Sequence, residues 1–185
     1  GTGGWAFDPP GAAAEMRTRR IGRNELDAMK ASLAYTDAQE DYYRVDPDRD
    51  GVRSFATRLL SPPGRRDGLY WPTLEGEALS PLGPLFVLQA PGQSYKGYRY
   101  RILSAQGPAA PGGAKSYLRD GRMTEGFALV AWPARYGDTG VMSFIVSRDG
   151  KVFEKDLGPR TDAIARAMKT YDPGAGWALA QIDDE

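Results

Sequence analysis

The segment VDPDRDG places an acidic residue at every second position, and a glycine follows the last of them. The acids are Asp46, Asp48 and Asp50. Alternate carboxylates in one turn supply part of the roughly six to eight oxygen ligands that Ca²⁺ takes, and the carbonyl of Val52 would add another. The pattern therefore predicts a calcium site formed by Asp46, Asp48, Asp50 and Val52, in which calcium has a structural role.

The same segment is also typical of a solvated turn, because proline and glycine interrupt it. At the position where an EF-hand has its bidentate glutamate, this chain has Thr57, so the loop is not an EF-hand. A closing carboxylate would have to come from Glu40 or Asp41, near the end of the preceding helix. The sequence leaves the calcium site and the plain turn open as alternatives.

Glu75 and Glu77 lie close in sequence to Tyr70 and Trp71. Two acids beside aromatic side chains are what a glycosidase requires. Loop glutamates two positions apart rarely face each other across a substrate, however, and we expect these two to be solvated rather than catalytic.

Tyr95, Tyr98 and Tyr100 lie near Arg99 and Arg101 in a segment of alternating character. One interpretation is an aromatic and basic sheet face on which sugars or bases stack. Tyrosines at alternate strand positions are more often half-buried core residues. The pattern therefore favours the interpretation of these tyrosines as core residues.

Two further motifs indicate ordinary structure. The stretch 113–116, Gly-Ala-Lys-Ser, misses the Gly-Lys-Ser of a phosphate-binding loop by one residue and predicts a plain loop. A basic stripe is balanced by nearby acids, which indicates a solvated helix face. The stripe comprises Arg17, Arg19, Arg20 and Arg23, and the acids are Glu15, Glu25 and Asp27.

Composition excludes several classes of function. Lys+Arg and Asp+Glu are 24 each, which argues against a nucleic-acid binder held by bulk positive charge. Cys and His are absent, so disulfides, thiol nucleophiles, Cys/His zinc sites and Ser–His pairs are excluded. No apolar run is long enough to predict a membrane span. The chain begins at Gly1 rather than Met, which predicts that a leader or upstream region has been removed.

A strand-like segment and two helices are predicted in the first part of the chain. Residues 1–10 form a strand-like segment with Trp5 and Phe7, and residues 11–185 form a single domain. A helix is expected over 11–20, and a second, longer helix is capped by Asn24 and runs to about residue 43. Its apolar stripe is Leu26, Met29 and Leu33.

Residues 52–60 are predicted to form one or two helical turns and residues 61–93 an irregular crossover rich in proline. Strands are then expected at 98–103, 126–132, 140–147 and 151–156, with a turn at 148–150. A closing helix at 160–171 would place Ile164, Ala167, Met168 and Tyr171 inward. The fold class is α+β, with a long N-terminal helix packed on an antiparallel sheet of about four strands, followed by a closing C-terminal helix.

Two packing expectations follow from these elements. The helix stripe should lie against the apolar face of the sheet, and the aromatic residues near the N-terminus should pair at a sheet edge, in this chain or a neighbouring one. The sheet residues expected beneath the stripe are Phe127, Leu129, Phe144 and Val146.

Several segments resemble the bacterial family known as domain of unknown function 2950. They are RRIGRNELDAMKASLAYTDAQEDYY, DGLYWPTLEGEALSPLGPL, YRILSAQGPAAPGGA and GFALVAWPARYGDTGVMSFIVSRDGKVFEKDLG, with the helix that follows. Together they cover nearly all of residues 17–177. The resemblance implies a periplasmic or extracellular location and supplies no activity.

The long helix and the second half of the chain also resemble the globular domain of type IV pilins and pseudopilins. The helix NELDAMKASLAYTDAQEDYY is followed by a meander with Ala131–Pro133, Gly137–Gly140, Ser143-Phe144 and Asp149-Gly150. This resemblance implies a pilin-like fold. Pilins begin with a long apolar helix, whereas residues 11–23 of this chain are polar and carry four arginines.

Together these observations predict a non-enzymatic, exported structural or interaction module of a bacterial envelope, such as a subunit of an extracellular filament or assembly. Its expected partners are further copies of itself or another envelope protein. The alternative is a periplasmic small-molecule or glycan-binding protein, followed by an envelope hydrolase. No catalytic residue and no organic cofactor are predicted, and calcium is the only cofactor considered.

Overall fold

The computed structural model describes residues 9–47, 51–73, 76, 79–83 and 93–182. Within these residues the chain forms two helices and a series of short strands. In chain order they are α1 (Pro9–Val45), β1 (Arg58–Leu60), β2 (Gly68–Tyr70), β3 (Tyr98–Leu103), β4 (Ala105–Gln106), β5 (Lys115–Ser116), β6 (Leu118–Arg119), β7 (Arg122–Met123), β8 (Ala128–Pro133), β9 (Met142–Ser147), β10 (Val152–Asp156), α2 (Thr161–Ala167), β11 (Thr170–Tyr171) and β12 (Ala178–Leu179).

The central sheet is antiparallel, with the strand order β12-β10-β9-β8-β3. Side chains alternate between its two faces, so cross-strand partners share a face. One face carries Tyr98 and Tyr100 and lies under α1, while the other carries Arg99 and Arg101 and lies under α2. Because a helix covers each face, β8 is buried along its whole length. The predicted α+β class and the antiparallel sheet are confirmed.

The α1 helix packs on the sheet through small and polar residues as well as large apolar ones. Met29 is buried, and Leu26 and Leu33 are half-buried against the same core that contains the predicted sheet partners. The centre of the contact is instead a stripe of Ala28, Ser32, Tyr35, Gln39 and Tyr42. The predicted stripe therefore lies beside the most buried face of the helix.

The predicted break between two N-terminal helices is wrong, because α1 is continuous from Pro9 to Val45. Asn24 is not a cap; its amide Nδ2 donates to the carbonyl of Thr139 at 2.8 Å. Gly22 costs a helix only about 1 kcal/mol relative to alanine. A tertiary partner for Asn24 thus replaces the local cap that the sequence indicated.

The helical turns predicted at 52–60 are also wrong. β1 pairs in parallel with β2, and the N–H of Phe55 donates to the carbonyl of Met123 at 2.7 Å. Long-range pairing therefore supplies backbone hydrogen bonds to this segment in place of those that a helix would provide. In the crossover that follows, Leu69 and Trp71 are buried in the core, as expected for an ordered segment.

The closing helix α2 is shorter than predicted, and the face that it buries is not the predicted one. Its buried positions are Thr161 and Ala165, whereas Ile164 is exposed. The other predicted inward residues are Ala167, which is exposed, Met168, which is half-buried, and Tyr171, which is buried but belongs to β11. The helix stops early because the chain pairs with β4 from Thr170 onward.

One packing prediction cannot be compared with these elements. Trp5 and Phe7 lie outside the described residues, so their pairing at a sheet edge stays a prediction. Among the helices that the structure describes, none is long and apolar enough to cross a membrane.

Candidate functional site

A groove beside α2 is bordered entirely by described residues. It has a volume of about 300 Å³ and lies on the sheet face opposite α1. We call it the α2 groove and define it by its lining residues Ile145, Met168, Thr170, Asp172, Gly174, Ala175 and Trp177. These residues combine an apolar floor, an indole, a hydroxyl and a carboxylate, which is the composition of a small-molecule site.

The carboxylate of Asp172 is held rigidly in the groove. Its Oδ1 accepts a hydrogen bond from the N–H of Ala109 at 2.9 Å. Gly107 makes room for the side chain, because a Cβ at that position would lie 2.4 Å from the Cγ of Asp172. Within the described part of the chain no residue donates to Oδ2, which lies next to Gly107.

The segment 174–177 contributes Gly174, Ala175 and Trp177 to the groove lining. Lys155 fixes it, because its Nζ donates to the carbonyl of Ala175 at 3.2 Å and lies 6.0 Å from the ring centre of Trp177. Gly176 has φ +85°, and a Cβ there would lie 2.7 Å from the Lys155 Nζ. Glycine is therefore required at this position, and the indole of Trp177 is held half-buried in the groove.

Under α2, Asp162 joins the helix to the sheet. Its Oδ1 accepts hydrogen bonds from Arg99 at 2.6 Å and from the indole N–H of Trp132 at 2.9 Å, and its Oδ2 accepts from Arg166 at 2.7 Å. The hydrogen bond from Arg166, with those from Trp132 and Arg99, lowers the pKa of Asp162 to about 2. The carboxylate therefore stays charged at every physiological pH and cannot act as a general acid.

Arg101 orients the other end of α2. Its guanidinium donates to the carbonyls of Ala165 and Met168 at the C-terminal end of the helix, where carbonyls lack the full set of helical partners. Met168, a floor residue of the α2 groove, is thereby positioned by the sheet.

The tyrosines of β3 belong to the core, as the sequence favoured. The hydroxyl of Tyr98 donates to the carbonyl of Met142 at 2.8 Å, and Tyr100 is also buried. Burial raises the pKa of Tyr98, and the charge of Glu25 raises it further. The aromatic and basic residues of this strand lie on opposite faces, so they do not form one stacking surface.

Glu25 and Glu154 form a pair of acids on the α1 side. The Oε1 of Glu25 accepts from the N–H groups of Val141 and Met142 at 2.9 and 3.0 Å. Burial raises the pKa of Glu154, and the charge of Glu25 adds to this effect. The backbone hydrogen bonds give Glu25 a structural explanation, since they hold α1 on β9.

The predicted calcium loop is only partly described. Asp46 has φ +50°, and its Oδ2 accepts from the N–H of Gly51 at 3.3 Å, while Val52 is exposed. Asp48 and Asp50 lie outside the described residues. Among those that are described, no three acidic groups are placed to hold a metal ion. The calcium site stays a prediction.

Both acids considered as the closing ligand of that loop have other partners. Glu40 accepts from Arg148 at 2.7 Å, and Asp41 accepts from Arg44 at 2.7 Å. Both ion pairs are at the surface, where such pairs contribute little stability. A closing carboxylate would therefore have to exchange one of these partners for the metal.

Glu75 and Glu77 also lie outside the described residues, so their predicted solvation stays a prediction. Of the aromatic residues near them in sequence, Tyr70 is half-buried in β2 and Trp71 is only 6% exposed. The guanidinium of Arg66 lies 5.6 Å from the ring centre of Trp71. Trp71 is therefore a core residue.

The remaining motifs have ordinary structural roles. Lys115 and Ser116 form the short strand β5, and no helix N-terminus follows them, so they do not build a phosphate-binding loop. The basic stripe of α1 is exposed, as predicted for a solvated face. In this stripe Arg19 pairs with Glu15 at 2.6 Å, and Arg20 pairs with Asp138.

The sequence interpretation missed the residues of the α2 groove. The segment YDPGAGW, residues 171–177, places an acid and a tryptophan on either side of a Pro/Gly turn. That composition is a usable signal for a shaped loop with polar and aromatic contacts. The floor residue Ile145 could not be linked to it, because only the sheet brings it there.

The described residues thus define an α+β domain, with a central antiparallel sheet between two helices and a small polar groove beside the second. A family model matches residues 1–180, and the chain belongs to that family, which is described as Protein of unknown function (DUF2950). Neither a curated protein nor a solved structure shows a significant match to the chain.

Proposed function

We propose that the protein is a non-enzymatic, exported structural or interaction module of a bacterial envelope, and that it associates with further copies of itself through the first part of α1. The observation that supports this proposal is the exposure of residues 11–23 of that helix, which we call the free segment. Beyond it, α1 packs on the sheet with a buried stripe that begins at Ala28.

The free segment makes little contact with the rest of the described chain. At a rise of about 1.5 Å per residue, it spans about 20 Å. Nearly all of its side chains are exposed, including Met16 at 66%. Among the described residues, Arg20 ties it to the sheet domain by donating to the carboxylate and the carbonyl of Asp138. The free segment continues a helix that is packed further along, so its exposed surface is held in helical form and open to a second molecule, which favours an association role.

The charge along α1 suggests how two copies would meet. The free segment carries four arginines and one acid, Glu15, whereas the packed part carries the exposed Asp37 and Asp41 and the half-buried Glu40, the last two in surface ion pairs that an association would exchange. These acids lie three and four positions apart, so they share one helix face. Staggered α1 helices from two copies would therefore place the arginines of one beside the acids of the other.

The test measures self-association by sedimentation over a range of concentrations. Replacing Arg17 and Arg23 with glutamate should weaken association at least tenfold, which corresponds to about 1.4 kcal/mol, because it places like charges in contact. The matched control replaces Lys151 and Lys169 with glutamate, which changes the net charge equally at exposed sites elsewhere. That control should associate like the wild type.

Two results would overturn the proposal. One is a wild-type protein that stays monomeric up to millimolar concentration at low salt. The other is equal weakening by both double variants, which would show a general effect of net charge rather than a contact through the free segment. The exported location is tested separately, by locating the protein in cell fractions of the native bacterium, and recovery in the cytoplasm alone would contradict it.

The calcium hypothesis for the loop at 46–52 leads to a separate prediction. Extracellular calcium modules bind with Kd values of about 10⁻⁴–10⁻³ M. At a tenfold excess over Kd, calcium would stabilise the folded state by about 1.4 kcal/mol. Thermal unfolding with millimolar calcium should therefore give a higher melting temperature than unfolding with chelator. Asp48→Ala should remove the difference, and Asp37→Ala should retain it. A melting temperature that does not respond to calcium would identify the segment as a plain turn.

A further inference from the structure

We propose that the α2 groove binds a neutral saccharide ring, with Trp177 as the stacking surface and Asp172 as the hydroxyl acceptor. This function goes beyond assembly through α1. The groove lies on the opposite face of the sheet and shares no residue with the free segment.

The apolar half of the site suits the C–H face of a sugar ring. Trp177 is half-buried and held in place by Lys155 and by the turn at Gly176, so its indole loses little freedom when a ligand stacks on it. Ile145 and Met168 line the same groove and exclude water from the apolar face of a ligand. Aromatic side chains provide large contact areas of this kind at low entropic cost.

The polar half of the site suits hydroxyl groups. Asp172 lines the groove, and the N–H of Ala109 holds its Oδ1, so the carboxylate of Asp172 supplies the acceptor for a ligand hydroxyl. Thr170 lies on the same side of the groove and is exposed, so its hydroxyl can donate to one ligand oxygen and accept from another. Hydrogen bonds to a charged acceptor are stronger than neutral ones, which makes Asp172 the main polar contact.

The charges of the site favour a neutral ligand. The carboxylate of Asp172 would repel an anion inside the groove. The ammonium of Lys155 lies beside the indole of Trp177 and would disfavour a second cation stacked there. A volume of about 300 Å³ is at the lower end of small-molecule sites, and it admits a monosaccharide or one end of a short oligosaccharide.

The experiment follows the indole N–H signals of the ¹⁵N-labelled protein by NMR. The chain has four tryptophans, and the signal lost in Trp177→Phe identifies Trp177. Titration with N-acetylglucosamine or cellobiose should shift this signal saturably, with a millimolar Kd. The Trp132 signal should not move. Mannitol, an acyclic polyol without a ring face, is the control ligand and should cause no saturable shift.

Variants separate the two halves of the site. Asp172→Asn retains the oxygen that accepts from Ala109 but removes the charge, and it should weaken binding about tenfold, or about 1.4 kcal/mol. Trp177→Ala should abolish saturable binding, which is then followed by the signals of neighbouring backbone amides. Asp37→Asn, on the other side of the molecule, should bind like the wild type.

The absence of a saturable shift with both saccharides would overturn the proposal, as would an equal response to mannitol. Neither result would bear on self-association through α1.

Discussion

Replacing Gln39 with leucine is expected to lower the free energy of unfolding by about 3–5 kcal/mol, because buried partners would lose their hydrogen bonds. Gln39 is fully buried on α1. Its Oε1 accepts from the N–H of Ala56 at 2.8 Å, and its Nε2 donates to the carbonyl of the same residue at 2.9 Å. Leucine has nearly the same volume but offers neither partner, so the backbone of Ala56 would be left buried and unpaired.

The loss of hydrogen bonds in this variant would extend to the sheet. Nε2 of Gln39 also donates to the hydroxyl of Tyr35 at 3.0 Å, and that hydroxyl donates to the carbonyl of Ala128 at 3.2 Å. One side chain thus joins α1, the segment before β1 and β8 through a continuous buried network. Burial raises the pKa of Tyr35, so its hydroxyl remains a donor over the whole working range of pH.

Urea unfolding at equilibrium measures this effect, with the midpoint and the slope fitted separately. Asp37→Leu is the matched control, because it introduces the same residue at an exposed position of the same helix and should change stability by less than about 0.5 kcal/mol. A loss below about 1 kcal/mol for Gln39→Leu would show that Ala56 finds other partners and that the network is not essential.

Asp162→Ala is expected to lower stability by about 2 kcal/mol at pH 7. It removes three hydrogen bonds and leaves the guanidinium of Arg99 beside Arg101 and Arg166 without its carboxylate. Hydrogen bonds to charged groups contribute about 1.5–3 kcal/mol each at buried sites. The side chain of Asp162 is 48% exposed, so solvent screens part of this contribution.

The same carboxylate gives stability a defined dependence on pH. Its pKa in the folded protein, about 2, is below the ordinary value of 3.8. The unfolded state therefore binds the proton first, and stability falls as pH decreases from about 4 to about 2. Above pH 5 the contribution of Asp162 is complete and constant.

Unfolding curves at a series of pH values test this linkage. The difference in stability between the wild type and Asp162→Asn should be largest near neutral pH and should shrink as pH falls from about 4 to about 2. Asp37→Asn should follow the wild type at every pH. A difference between wild type and Asp162→Asn that is the same at pH 7 and pH 2 would show that Asp162 acts through shape rather than charge.

Strands were predictable where the side-chain pattern itself reports burial. The alternation of Tyr98, Tyr100 and the intervening arginines identified β3 and its two faces, because a strand turns successive side chains to opposite sides. The apolar runs of β8 and β9 likewise indicated central strands of the sheet. Helix boundaries were less predictable, because Asn24 looks like a cap in sequence and finds its partner more than a hundred residues away, at Thr139.

By itself, the amino-acid sequence determined the α+β class, the helical first part, the strand meander and the absence of thiol and imidazole chemistry. These properties depend on local periodicity and on composition, which a linear pattern contains. The tertiary structure alone decided the α2 groove, the Gln39 network and the partners of Asp162. Each of these joins residues far apart in the chain, such as Ala109 and Asp172 or Gln39 and Ala56. Their proximity depends on strand order and helix position, which no short stretch of sequence specifies.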